Sequence, residues 1–91
     1  MMYSVCFSDK AKKVLAKWKK SNVQLFRKAQ RVIEDTAEHP RTGIGHPEPL
    51  VGGGGITYSR RITASDRMIY DIFDDVLEID IVSMEGHYAD K

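Results

Sequence analysis

HPEPLVGGGGITYSRRITASDRMIY, from His46 to Tyr70, contains the change of pattern on which the fold turns. Its first part belongs to a connection running from Arg41 to Gly55, where Gly43, Gly45, Pro47, Pro49 and the run Gly52 to Gly55 interrupt any regular element. Glycine costs conformational entropy when ordered, so the run is read as free until a ligand closes over it. It has neither a Walker pattern nor a spaced GxGxxG, which leaves little support for a phosphate cradle. Its second part alternates. Ile56 to Ile62, Arg67 to Phe73 and, further on, Val76 to Val82 read as three strands, joined by turns at Thr63-Ala64-Ser65-Asp66 and Asp74-Asp75. Connections this short predict an antiparallel meander. Ile56, Tyr58 and Ile62 share one face, with Thr57, Ser59 and Arg61 on the other; Met68, Tyr70 and Ile72 oppose Arg67, Ile69 and Asp71. Arg61 and Arg67 thereby fall on one polar face. Arg60 breaks the alternation and is expected at an edge or reaching a partner.

Upstream, Tyr3 to Phe7 alternates as a short strand does. Ser8 is placed to cap a helix carrying Ala11, Val14, Leu15 and Trp18 at helical spacing, with lysines opposite. The pattern resets at Ser21-Asn22, and Leu25, Phe26, Ala29, Val32 and Ile33 mark a second helix, antiparallel to the first and ended by His39-Pro40. Trp18, Phe26 and Tyr70 are read as core. With the helices on the apolar face, the order strand, helix, helix and three strands predicts a two-layer α+β fold. The 91 residues are read as a single domain, 1–91.

Composition narrows the class. Hydrophobic residues at 42% and charged residues at 30% fit a globular protein, and no apolar run approaches the ~18 residues of a membrane span. MMYSVCFSDK lacks the pattern of an export signal, so the expected location is cytoplasmic, with no membrane partner. The lone Cys6 is read as a small core residue, and the single cysteine with three scattered histidines gives no metal-ligand spacing. The net charge is only +1, but it is unevenly spread: every charged residue from Lys10 to Arg31 is basic, and every one from Met68 to Asp90 is acidic. The basic half reads equally well as a polyanion-binding surface or as solvated helix faces.

Pro47-Glu48-Pro49-Leu50, Ser59-Arg60-Arg61-Ile62-Thr63, Asp66-Arg67-Met68-Ile69-Tyr70 and His87-Tyr88, in this order, resemble the Txe/YoeB family of RelE-type toxins. The resemblance covers nearly the whole chain. It implies a RelE-like fold, two N-terminal helices packed on a small antiparallel sheet, and a toxin of a type II toxin-antitoxin pair that cleaves mRNA in the ribosomal A site. It makes Glu48 the general base, Arg67 the stabiliser of the phosphate and His87 the general acid. Arg61 and Tyr88 would bind the RNA, and Arg60 is counted with them. No cofactor or metal is implied. The implied partners are a YefM/Axe-type antitoxin, the ribosome with its mRNA, operator DNA reached through the antitoxin complex, and a second copy of the chain in a homodimer.

Plainer readings stand beside these. Glu48 could be a solvated turn residue, Arg67 could pair with Asp66 at the surface, and His87 and Tyr88 could belong to a frayed terminus. His39 and His46 are read as ordinary. The chain departs from the family's pattern in having Val51 where a lysine usually follows the Pro-Glu-Pro-Leu motif, in its glycine run, and in Ala89-Asp90-Lys91 after the tyrosine. A different function on the same fold, a binding protein acting as corepressor or as inhibitor of another target, is the competing expectation.

Overall fold

The structure is a computed structural model in which residues 2–86 are described. Strand β1 (Ser4–Phe7) leads into helix α1 (Asp9–Ser21) and helix α2 (Val23–Glu38). Strands β2 (Glu48–Pro49), β3 (Thr57–Arg61), β4 (Arg67–Phe73) and β5 (Glu78–Ser83) follow. Ser8 caps α1 as expected, its Oγ accepting from the Ala11 amide at 3.0 Å. Asn22 serves both helices. Its amide donates to the Trp18 carbonyl to close α1, and its Oδ1 accepts from the Leu25 amide to open α2. One residue thus satisfies backbone groups at two helix ends, which lets the chain reverse with almost no loop.

The two-layer α+β arrangement is as expected. The strand order is β1-β5-β4-β3-β2, and β2 to β5 pair antiparallel as the short turns require. β1 differs: it lies parallel to β5, with Cys6 opposite Asp80, so the sheet is mixed. The two intervening helices supply the long connection that a parallel pairing needs. Trp18, Val32, Ile62, Met68, Tyr70, Ile72, Ile79, Ile81 and Met84 are buried between the layers. Cutting such a side chain to alanine, as in Ile79→Ala, removes about 2 to 5 kcal/mol in a tightly packed interior.

Three local expectations are corrected. The connection from Arg41 to Gly55 contains an element of its own, the edge strand β2, and the glycine run is the ordered turn that joins it to β3. In that turn the Leu50 amide donates to the Thr57 carbonyl at 2.9 Å and the Gly53 amide to the Leu50 carbonyl at 3.0 Å. The third predicted strand starts later, because Leu77 takes a positive φ of 52° and Val76 is exposed in the turn before Glu78. Cys6 is exposed, not core: within β1 it falls on the outer face of the sheet.

Arg60 is the largest correction. It is fully buried, on the helix-facing side with Tyr58, in a position that alternation assigns to an apolar residue. All five N–H donors of its guanidinium are used. Nε donates to Tyr70 Oη at 3.0 Å; Nη1 donates to Asp35 Oδ2 at 2.6 Å and the Ile44 carbonyl at 3.0 Å; Nη2 donates to the carbonyls of Thr42, at 2.8 Å, and His39. Tyr70 Oη in turn donates to the Pro40 carbonyl at 2.7 Å. The connection after α2 is therefore wrapped around one buried cation, which leaves no part of Arg60 for substrate. A Cβ at Gly43 would lie 1.9 Å from Asp35 Oδ2, so only glycine lets the chain pass this close.

The network has a pH signature. Burial works to raise the Asp35 pKa, but the hydrogen bonds from Arg60 and from the Ile44 amide outweigh it and hold the carboxyl below its ordinary range. A carboxyl whose pKa is lowered on folding contributes stability above its unfolded pKa, and that contribution is lost as pH falls through the folded one. Asp35→Asn should therefore cost stability at pH 7, progressively less as pH falls below the ordinary aspartate value of about 3.9, and little only once the folded carboxyl is itself protonated. Urea unfolding of both proteins across this pH range checks this, and parallel acid limbs would contradict it.

Candidate active site

Because opposite residues on paired strands share a face, the register builds a polar patch on the side of the sheet away from the helices. Arg61 stands opposite Arg67, and one row further on Glu48, Ser59 and Ile69 line up across β2, β3 and β4. Glu48, Arg61 and Arg67 are thus brought together, as the alternation predicted for the two arginines. Arg67 Nη1 lies 4.0 Å from Glu48 Oε1 and 3.5 Å from Ser59 Oγ. The Arg67 side chain is 28% exposed and that of Glu48 61%, so this pair at the limit of contact is weak and open to an incoming group. Asp66 does not hold Arg67. Its carboxylate accepts from Thr63 Oγ1 and the Gly86 amide instead.

Two guanidiniums directly opposite each other repel, and an anion between them removes the penalty. Arg61 is exposed and makes no ion pair among the described residues. Pro47 and Pro49 stiffen the backbone on both sides of Glu48, and the β2 to β3 pairing fixes its position. The Arg67 amide donates to the Gly86 carbonyl at 3.2 Å, so the chain reaches the patch as far as Gly86. His87 and Tyr88 lie outside the described residues. Ser59, absent from the expected site, is fully buried beneath the patch with its Oγ as an acceptor toward Arg67; its place on the same face as Arg61 was the available signal.

A second group lies at the opposite edge of the same outer face. The ligand atoms of Cys6, Glu78 and Asp80 fall within 4.8 Å of one another and could hold a metal ion, a grouping that sequence spacing could not show because two distant strands create it. Hydrogen bonding and charge from Asp80 push the Glu78 carboxyl above its ordinary range. β4 separates β5, which carries two of these residues, from β3 and Arg61.

Known proteins share this fold. Residues 7–88 match the family described as the YoeB-like toxin of bacterial type II toxin-antitoxin systems. The toxin YoeB of Streptomyces coelicolor is 38% identical over 71 residues, 78% of this chain and 82% of that protein. The YoeB dimer from Staphylococcus aureus superposes with a TM-score of 0.84 at 26% identity, covering 97% of this chain and 100% of the other. The heterotetrameric YoeB-YefM toxin-antitoxin complex from the same organism gives 0.80 at 26%, with the same coverage. With Glu48, Arg61 and Arg67 gathered on one face of this fold, the chain belongs to the YoeB-like toxins of bacterial type II toxin-antitoxin systems.

Proposed function

We propose that this toxin is a ribosome-dependent endoribonuclease that cuts mRNA in the A site through acid and base groups of its own side chains. The observation that carries the reading is the placement of the Glu48 carboxylate 4.0 Å from Arg67 Nη1, with Arg61 directly across the strand pair. Glu48 takes the proton from a ribose 2′-hydroxyl, whose oxygen then attacks the adjacent phosphorus. Negative charge gathers on the phosphorane oxygens, and the forks of Arg67 and Arg61 meet it. His87 gives its proton to the departing 5′ oxygen and Tyr88 positions the strand. The P–O5′ bond breaks, leaving a 2′,3′-cyclic phosphate and a 5′-hydroxyl.

Partners follow from charge and from the relatives. The S. aureus YoeB-YefM complex supports a YefM/Axe-type antitoxin as partner; the arginine patch suits an acidic antitoxin segment laid over it, and the joint complex would bind operator DNA. The S. aureus YoeB dimer supports a homodimer here. No described helix is long and apolar enough to cross a membrane, and we take the site of action to be the cytoplasm, where the ribosomes are. Lys12, Lys13, Lys19 and Lys20 of α1 are exposed and suit contact with ribosomal RNA.

Toeprinting on programmed ribosomes tests the activity, with a cut in the A-site codon as the expected result. No cut by the wild-type protein would leave the corepressor or inhibitor reading in its place. Changing the four lysines to glutamine should weaken ribosome binding and flatten its salt dependence. Binding with an unchanged salt slope would remove α1 from the ribosome contact.

A further inference from the structure

Beside the arginine patch lies a cavity of ≈ 490 Å³, between α2, the segment before β2 and the end of β3. Val32 and Ile62 are buried and form its floor, Ile44 closes one side, and Lys28, Arg31 and Arg61 stand exposed around it. We propose that this cavity is a nucleotide subsite, taking the ribonucleotide next to the scissile phosphate. The base rests on Val32, Ile44 and Ile62, and the phosphate meets Arg61, Lys28 and Arg31. The inference rests on the reading of the patch as an RNA-cleaving site and extends it along the strand.

Three observations carry it. First, Arg61 belongs to both places: it stands opposite Arg67 in the sheet and also lines the cavity, so a strand held at Arg67 passes over it. Second, the lining joins the two surfaces that a nucleotide presents. Apolar floor suits a base, which sequence-specific RNA recognition takes unstacked from its strand, and guanidiniums serve both phosphates and base faces. Third, the wall is built in advance. The Ile44 amide donates to Asp35 Oδ2 at 3.0 Å, the Ile44 carbonyl accepts from buried Arg60, and the Gly45 carbonyl accepts from the Arg61 amide at 2.6 Å. A cavity held this way costs little ordering on binding. A run of acidic side chains alone would satisfy the rim cations but leave the apolar floor uncovered, whereas a nucleotide meets both.

Ala64 is exposed at the cavity's edge, so Ala64→Trp should fill the space without disturbing the core; Ile44→Asp, also at an exposed position, is a second variant that makes the wall hostile to a base. The first readout is methyl NMR of the whole toxin with adenosine and guanosine 5′-monophosphate, and with inorganic phosphate as control. Nucleotides should move the Ile44 and Ile62 methyl signals, phosphate alone should not, and both variants should lose the response. The second readout is cutting across a codon set on programmed ribosomes, where each variant should change base preference at one codon position by about 10-fold, in the range of a single base contact.

Silent methyl signals, or variants with the wild-type codon preference, would overturn the subsite. Variants that cut normally but bind an acidic antitoxin peptide more weakly would also overturn it, in favour of a protein occupant. Glu48→Gln separates the layers: full cutting by that variant removes the general base while the nucleotide titration still decides the cavity, and a dead Glu48→Gln beside wild-type behaviour of Ala64→Trp removes the cavity alone.

Discussion

Glu48→Gln is expected to lower A-site cutting by about 100- to 10,000-fold, the usual worth of a positioned acid or base, while leaving the fold intact. The two halves of that expectation come from the same geometry. Glu48 is largely exposed, and its only ion pair among the described residues is the 4.0 Å approach to Arg67, so glutamine at this exposed position should shift stability by no more than ~0.5 kcal/mol. Glutamine keeps the shape but cannot take a proton from the ribose hydroxyl. Arg67→Lys tests the other side of the reaction. It retains charge but loses the planar fork, and a cost of about 100- to 1,000-fold, comparable to removing one transition-state donor, is expected. Single-turnover cutting on programmed ribosomes, with denaturant curves run in parallel, reads both. Wild-type rates from Glu48→Gln would mean that another group takes the proton, and His87→Gln then becomes the informative comparison.

The polar face of the sheet was legible because strand alternation is a local rule. Arg61 and Arg67 follow a period of two within their own strands, and the short turn between them fixes the pairing, so their meeting could be read without coordinates. Glu48 was legible as a residue but not as part of the sheet. A two-residue strand made of Glu48 and Pro49 and preceded by Pro47 carries no strand signal, and only pairing with β3 gives Glu48 its row. Arg60 was misread for a related reason. Its position obeys the alternation, whereas its charge argues against burial; the groups that settle the conflict are Asp35, 25 residues away, and carbonyls of a connection with no pattern of its own. The parallel place of β1 and the Cys6, Glu78 and Asp80 group are likewise products of long-range assembly.

Arg60→Ala should then be among the most damaging single changes, at about 3 to 5 kcal/mol, the usual loss when one partner of a buried ion pair is removed. Against a total of ~5 to 15 kcal/mol for a small domain, that brings the toxin close to unfolding at ordinary temperature. Two contributions can be separated. Part is the Asp35 charge left behind, and Asp35→Asn in the same chain should recover it. The rest is the desolvation of the Ile44, Thr42 and His39 carbonyls and Tyr70 Oη, each left without its donor, which no change at Asp35 repairs. Arg60→Lys keeps the charge but has three donors where five are used, so it should fall between wild type and alanine. Urea unfolding of the four proteins would order them wild type, Arg60→Lys, the double variant Asp35→Asn with Arg60→Ala, and Arg60→Ala. If Arg60→Lys matched wild type, the charge pair alone would account for the residue and the wrapped connection would have to be held by something else. Because that connection leads directly into Pro47 and Glu48, Arg60→Lys should also cut more slowly even where it remains folded, an effect that a purely global loss of stability would not produce below the unfolding transition.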